Sequence, residues 1–311
     1  MRHGIRILLC TAALAARPVA AQPDPAAPEP SEDKRAVSFE VGTGIEYDGN
    51  VAVLDLDTSA NAGDLLALAE FGVDYDKPDA GPFDLTLGYN FSQSLHDDFD
   101  AFDVRVHRGS ATASYDLGRV DVGTTMTYAD AALDGDAFLA LAQISPYVSR
   151  LIGKRLFLRF AYARSDKEFA GNPARDATGD GLSSDAYVFL NGLQTYLVFG
   201  YRYDDEDAAG AQFDYIGHKL SAQLSRRLPA GKRELTLKTS LRYETRDYPN
   251  ATPSIGAPRG DDRVQLEASL EVPFGERVVT RFGYKHADNR SNLPSVDFDE
   301  NVWSASVSWA L

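Results

Sequence analysis

The feature that most restricts the fold is a period-two alternation of apolar and polar residues, sustained over ten or more positions and recurring along the chain. Val37, Phe39, Val41, Ile45 and Tyr47 alternate with Ser38, Glu40, Gly42, Gly44 and Glu46. Leu235, Leu237, Leu241 and Tyr243 alternate with Glu234, Thr236, Lys238, Ser240, Arg242 and Glu244. Val264, Leu266, Ala268, Leu270 and Val272 alternate with Arg263, Gln265, Glu267, Ser269 and Glu271, and Trp303, Ala305, Val307 and Trp309 with Ser304, Ser306 and Ser308. A strand points successive side chains to opposite faces, so each run is a strand with one apolar face. Globular strands have a mode of about five or six residues, whereas a tilted membrane-spanning strand needs roughly 9–11. No segment carries sustained helical periodicity, and no stretch of about twenty apolar residues follows the N-terminus, which excludes helical membrane topology.

A second regularity counts the strands. Tyrosines of the apolar phase close alternate strands at Tyr47, Tyr89, Tyr128, Tyr162, Tyr201, Tyr243 and Tyr284, separated by 42, 39, 34, 39, 42 and 41 residues. Each interval holds two strands, one tight turn and one longer acidic connection. Seven hairpins make fourteen strands, with both termini on one side. Short Gly- or Pro-rich turns are expected at Lys77–Pro82, Leu117–Val120, Gly153-Lys154, Pro229–Lys232 and Pro273–Glu276. Long polar loops are expected at Ser59–Gly63, Asp166–Asp185, Asp204–Gln212, Tyr248–Asp262 and Ala287–Phe298. Short periplasmic turns with longer external loops are the asymmetry of outer-membrane barrels, and tyrosines at the loop end make an interfacial girdle. A forty-residue period also suits propeller blades, but a blade needs four short strands where only two long ones fit. A soluble secreted sandwich or barrel is the main alternative. The fourth, sixth, eighth and tenth strands, near Val104–Tyr115, Leu139–Leu151, Asp185–Asn191 and Phe213–Leu224, alternate imperfectly; His107 and Pro146 mark two of them as places for bulges or register errors. The expected fold is therefore all-β: an antiparallel transmembrane barrel of fourteen strands with both termini periplasmic.

The N-terminus gives the compartment. Arg2 and Arg6 precede the apolar run Ile7 to Ala16, and Val19-Ala20-Ala21 supplies the small residues of a cleavage site, the order of a secretory signal over 1–21. Residues 22–36, rich in Pro, Ala and charge, read as a flexible periplasmic leader, and 37–311 as one barrel domain with no composition break. Cys10 is the only cysteine, so a mature chain has neither disulfides nor thiol chemistry. Removing the signal removes three arginines and no acid, taking the net charge from −15 to −18. That balance excludes nucleic acid as a partner, which needs a basic footprint.

One group of charges looks arranged. In the polar phase of the last strands stand Lys238, Arg242 and Glu244, then Arg263, Glu267 and Glu271, then Arg281 and Lys285. An apolar-out barrel turns these eight toward the lumen, because a charge facing lipid at mid-depth costs about 2–4 kcal/mol. Facing rows of opposite sign either pair across strands and stiffen the wall or line a water-filled pathway; the sequence leaves both open. Signals for catalysis are thin. His96-Asp97-Asp98 has no second His-Asp pair or serine motif beside it, and Asp176 through Asp185 lacks the ligand spacing of a calcium loop. No enzyme activity, metal or cofactor is expected.

Phe213-Asp214-Tyr215-Ile216-Gly217-His218 opening a strand, Tyr243 to Asp247-Tyr248 ending one, and Ser291-Asn292 through Asp297-Phe298-Asp299-Glu300-Asn301 before the last give the C-terminal third a pattern that resembles the barrel domain of the surface lipoprotein assembly modifier family; Asp48-Gly49-Asn50-Val51 is similar too. The resemblance implies a fourteen-stranded barrel and a role in delivering lipoproteins to the cell surface, with a periplasmic or lipoprotein partner. Members of that family carry a helical-repeat domain ahead of the barrel, where this chain begins its alternation within about fifteen residues of the expected cleavage site. The partners expected in any case are outer-membrane lipid and the barrel-assembly machinery. An export component, a passive porin-like channel for small solutes, and a plugged barrel serving as anchor or adhesin are the three functions open at this point.

Overall fold

The structure, a computed structural model, describes residues 36–78, 81–231 and 233–311. The expected signal and leader lie outside the described residues. Fourteen strands form one closed antiparallel barrel in strict sequence order, the first pairing with the last. They are β1 (Val37–Asp48), β2 (Asp64–Asp76), β3 (Phe83–His96), β4 (Val104–Asp116), β5 (Asp121–Leu133), β6 (Asp136–Ile152), β7 (Leu156–Phe169), β8 (Ala177–Phe189), β9 (Thr195–Ala208), β10 (Tyr215–Ala230), β11 (Arg233–Thr252), β12 (Ala257–Phe274), β13 (Val278–Ser291) and β14 (Phe298–Ala310). Closure runs through Glu40 opposite Ala310 and Tyr47 opposite Trp303, so both ends of the barrel wall lie at its turn end. A closed barrel has no edge, and every backbone group inside a membrane finds its partner across strands.

The alternation sets which face is which. Most apolar side chains that remain exposed in the isolated barrel, among them Phe39, Val41, Ile45, Phe160, Phe199, Leu241, Leu266, Phe282 and Val307, belong to one phase and form an outer band. Paired registers keep that phase in line between neighbours: Leu237 stands opposite Leu270, and Leu241 opposite Leu266. Exposed aromatics border the band at the turn end, at Phe83, Tyr115, Phe274 and Trp309. Arg233 lies over the Phe274 ring at 4.6 Å and Lys77 over Phe83 at 5.7 Å, cations reaching past an amphipathic ring as interface residues do.

At the loop end the girdle of tyrosines has a repeated construction. Five of the seven hydrogen-bond through their hydroxyls to the following strand, each reaching two positions loopward of its own paired residue. Tyr89 meets His107 Nδ1 at 2.8 Å and Tyr201 meets His218 Nδ1 at 3.0 Å. Tyr243 donates to Asp262 at 2.7 Å, Tyr284 to Asn301 at 2.9 Å, and Tyr162 to Asp180. An apolar ring toward lipid with its hydroxyl satisfied on the wet side is how tyrosine settles at such a boundary. Three of the four histidines among the described residues, His107, His218 and His286, sit on this belt; His286 shares Asn301 with Tyr284.

Several expected loops prove to be strand. The tyrosines do not close their strands: β9 runs on to Ala208, β11 to Thr252 and β13 to Ser291. The expected loop Tyr248–Asp262 is almost wholly ladder, with only residues 253–256 between β11 and β12. Asp166–Asp185 is likewise occupied by the end of β7 and the start of β8, which begins at Ala177 instead of near Asp185. The reason is physical: once a hairpin clears the lipid, its hydrogen-bonded ladder continues in water with polar residues on both faces. Alternation of polarity therefore stops signalling a strand that has not ended. Bulges fall at Ala131/Ala132 and Tyr248/Ala251, so the first touches β6 as expected and the second lies in a hairpin that alternates well. Between β5 and β6 the loop-end connection is only Asp134-Gly135, both with positive φ (51° and 80°), the two-residue hairpin chemistry of Asp-Gly.

Candidate functional site: the lumen and its first loop

The first loop-end connection, residues 49–63, does not stand out from the barrel. Its start is tied to the wall by Gly49, whose N–H donates to Asn301 O at 2.8 Å. Asp48 caps the turn through the Asn50 N–H (2.9 Å), and Ser59 closes it on the Asn50 side chain (2.8 Å). A two-rung ladder, Ala52 with Ser59 and Val53 with Thr58, carries a single 3-10 turn over Leu54–Leu56 at its tip. Val51 is fully buried. Val53 and Leu56 pack with Ala131, Phe138, Leu139 and Phe169. Ala131, Leu139 and Phe169 belong to the inward phase, so the loop covers the lumen from within the mouth.

Its two acids complete the attachment. Asp57 pairs with Arg259 at 2.7 Å and with Arg175. Both arginines are held from behind: Arg259 by Asp261 at 2.7 Å and by the Tyr248 ring at 4.5 Å, Arg175 by the Phe213 ring at 4.1 Å. Asp55 enters the neighbourhood of Lys167, Arg246 and Arg175, and burial lifts its carboxyl above the ordinary aspartate range against the pull of those cations. Of this loop the sequence marked only the polar end, Ser59–Gly63, and gave no sign that it folds inward. Asp57 and Asp55 are two acids among many, and the feature that distinguishes them is the apolar Val51-Ala52-Val53-Leu54 beside them in a polar connection.

All eight charges read from the sequence stand on the inward face, where the register places Glu244 opposite Arg263, Glu267 opposite Lys285 and Glu271 opposite Arg281. Only the last of these three rungs is an ion pair. Glu271 accepts from Arg281 at 2.7 Å and from Lys238 at 3.0 Å. Glu244 turns to Lys219 and Arg246, both at 3.0 Å, so β10 supplies a partner the sequence did not assign. Lys285 pairs with Glu300 at 2.8 Å, and Arg263 approaches the same carboxylate only to 3.9 Å. Glu267 takes hydrogen bonds from Ser240 (3.4 Å) and Gln265 in place of a cation. Arg242 has no carboxylate within ion-pair distance among the described residues.

Filling of the lumen is lopsided. Along β5 to β7 the inward side chains Thr125, Thr127, Gln143, Ser145, Ser149 and Arg159 are all buried, with the Arg159 guanidinium 3.9 Å over the Tyr147 ring. At the turn end, Phe157, Tyr187, Phe189 and Tyr196 form an aromatic cluster on the same side. The opposite wall carries small inward residues, Gly42 and Gly44 on β1, Gly88 on β3, Gly283 on β13, and Ser304 and Ser306 on β14. Inward-facing Asn90 is exposed there, and Arg281 keeps 32% of its side chain accessible. His96, singled out by its acidic neighbours, uses Asp103 as a structural partner through both its N–H and its ring (2.7 and 3.1 Å).

No protein-family model matches the chain. No curated protein matches it in sequence either. Among solved structures the chain is similar to an anion-selective porin from Comamonas acidovorans, with TM-score 0.51 and 11% identity over 88% of this chain and 98% of that one. It is also similar to a loop L8 deletion mutant of OmpT, an outer membrane protein of Vibrio cholerae, with TM-score 0.50 and 10% identity over 88% of this chain and 99% of that one. At such identities the likeness is one of fold: a closed, antiparallel β-barrel of the kind that porins adopt.

Proposed function

We propose that this protein is a porin-like channel of the outer membrane, passing small hydrophilic solutes through a lumen narrowed by its own first loop. The observation that carries the reading is the lopsided lumen. One wall is lined by buried side chains throughout, while the other, whose Gln265, Lys285 and Glu300 are buried toward the mouth, keeps small side chains, an exposed Asn90 and an Arg281 with a third of its side chain accessible facing inward. A barrel meant only as an anchor gains from burying both walls, since inward polar groups left unpacked contribute no stability. In this reading both ends of the barrel wall and the short turns face the periplasm, and the 49–63 loop sits at the outer mouth as a constriction. The fold shared with solved porins agrees with this reading but does not carry it, because one fold hosts several functions. Single-channel recording of the refolded protein in planar bilayers tests it. Discrete conductance steps are expected; a folded barrel that never conducts would make the lumen a plug.

A further inference from the structure

Most lumen cations are neutralised where they stand, and that makes two exceptions informative. Arg108, on the inward phase of β4, has Nε and Nη2 buried with no hydrogen-bond partner among the described residues. Its strand neighbours at that rung are Asn90 and Ala129, neither of them acidic. Arg242, on β11, faces Ser221 and Gln265 across its two rungs. Its charged neighbours include two further cations, Lys219 and Arg263, each near enough to feel its charge. The two acids adjacent to it on that wall are engaged elsewhere: Glu244, two residues on along β11, by Lys219 and Arg246, and Glu267, diagonally across on β12, by Ser240 and Gln265.

The topology puts these two arginines opposite each other. β4 and β11 are seven strands apart in a closed ring of fourteen, which is half the circumference. Their heights agree as well. Arg108 adjoins Gly109, which is paired with both Tyr89 and Tyr128, and Arg242 adjoins Tyr243, so both lie within one residue of the tyrosine belt. We infer that Arg108 and Arg242 form a facing pair of uncompensated cations that selects small anions, monocarboxylates and halides by class, as the preferred solutes. The inference rests on the channel reading. A guanidinium is charged at every working pH, and its fork suits a carboxylate. Fixed charge on opposite walls of a pore with low-dielectric sides raises the local concentration of the opposite ion. Loop 1 leaves this pair as it is: Asp57 is committed to Arg175 and Arg259, and Asp55 lies among Lys167, Arg246 and Arg175.

The test is the reversal potential of the refolded full barrel under a potassium chloride gradient, followed by sodium acetate. Wild type is expected to favour the anion. Arg108→Gln with Arg242→Gln should lower the chloride-to-potassium permeability ratio by roughly two- to fivefold, each single variant giving part of that change. Glu267→Gln should move the ratio the other way. Arg105→Gln, which removes the same charge from the exposed outward phase of β4, should leave it where it was. All shifts should shrink at high salt, where the screening length falls to about 3 Å at 1 M. If the double variant cannot be refolded, the two single variants carry the measurement. A conducting wild type whose ratio is unmoved by either arginine, or moved equally by Arg105→Gln, overturns the pair and leaves the channel reading intact. A wild type that does not conduct overturns both.

Discussion

Asp57 ties the first loop to the barrel wall. Its carboxylate bridges Arg175, in the connection between β7 and β8, and Arg259, near the start of β12, so three separate stretches of chain meet on one acid. Asp57→Ala leaves both guanidinium groups without that partner, and the Arg259 side chain is only 6% exposed. Loss of charge-assisted hydrogen bonds of this kind costs about 1.5–3 kcal/mol. The expected outcome is a folded barrel with a loosened loop 1, seen as larger and noisier single-channel steps than wild type. Unchanged steps would show that the loop stays docked on its apolar contacts alone. On the packed wall, Gly123 is a residue whose absence of a side chain is used. A Cβ there would stand 2.5 Å from the Tyr147 ring and 2.6 Å from the Ala113 carbonyl. Gly123→Ala therefore displaces Tyr147 from beneath Arg159 and should destabilise the barrel by about 1–3 kcal/mol, read as a lower midpoint in denaturant-driven unfolding from detergent.

Strands and loops follow different rules in this chain. For strands, phase is decisive, because a shift of one residue exchanges the lipid and lumen faces. Leu237 and Leu270 are partners on neighbouring strands in the outward phase, and Ser240 and Ser269 occupy the inward one. Leu237→Arg or Leu270→Arg is expected to hinder assembly by about 2–4 kcal/mol, while Ser240→Arg or Ser269→Arg is tolerated. The fraction that folds into lipid vesicles measures this, and equal tolerance would contradict the assigned faces. For loop 1 the determinant is contact with the wall. Deleting residues 51–59 and closing Asn50 to Ala60 removes the ladder, the 3-10 turn and both acids together. Conductance should rise by more than the Asp57→Ala variant gives, with assembly intact, because β1 and β2 remain joined through their own register.

At the scale of the whole molecule, stability resides in closure. Each of the fourteen strands has two neighbours, and the β1–β14 seam is continuous over Glu40 to Asp48. Such a barrel has no edge at which unfolding begins cheaply, and its outer band is apolar around the full circumference. The protein is therefore expected in the outer-membrane fraction, and an unboiled sample should migrate differently from a boiled one on a denaturing gel. Recovery as a soluble species without detergent would contradict the membrane assignment, since the exposed phenylalanines, leucines and tryptophans of the outward phase have no cover other than lipid.

How much of this the sequence determined depends on the range of the interaction involved. Alternation is local: Leu235 to Glu244 fixes its own faces without reference to any other strand, and the tyrosine spacing counts hairpins in the same way. Strand number, antiparallel order, the outward band and the inward placement of Lys238, Arg242, Glu244, Arg263, Glu267, Glu271, Arg281 and Lys285 were legible for that reason. Where polarity stopped alternating between lipid and water the reading lost its ruler, and ladders such as the one between β11 and β12 above the membrane passed for loops. Choice of ionic partner was out of reach for a different reason. Glu244 has a cation opposite it on both sides and takes Lys219 on the strand before it over Arg263 on the strand after it, while Lys285 reaches diagonally to Glu300, whose own rung partner is Ala287; side-chain reach across a curved wall makes both choices. Most distant of all is the first loop, whose Asp57 is bonded to residues 118 and 202 positions away. Only closure of the barrel brings Arg175 and Arg259 to one place, so only the tertiary structure decides that the loop folds inward and that Arg108 and Arg242 face each other without a counter-charge.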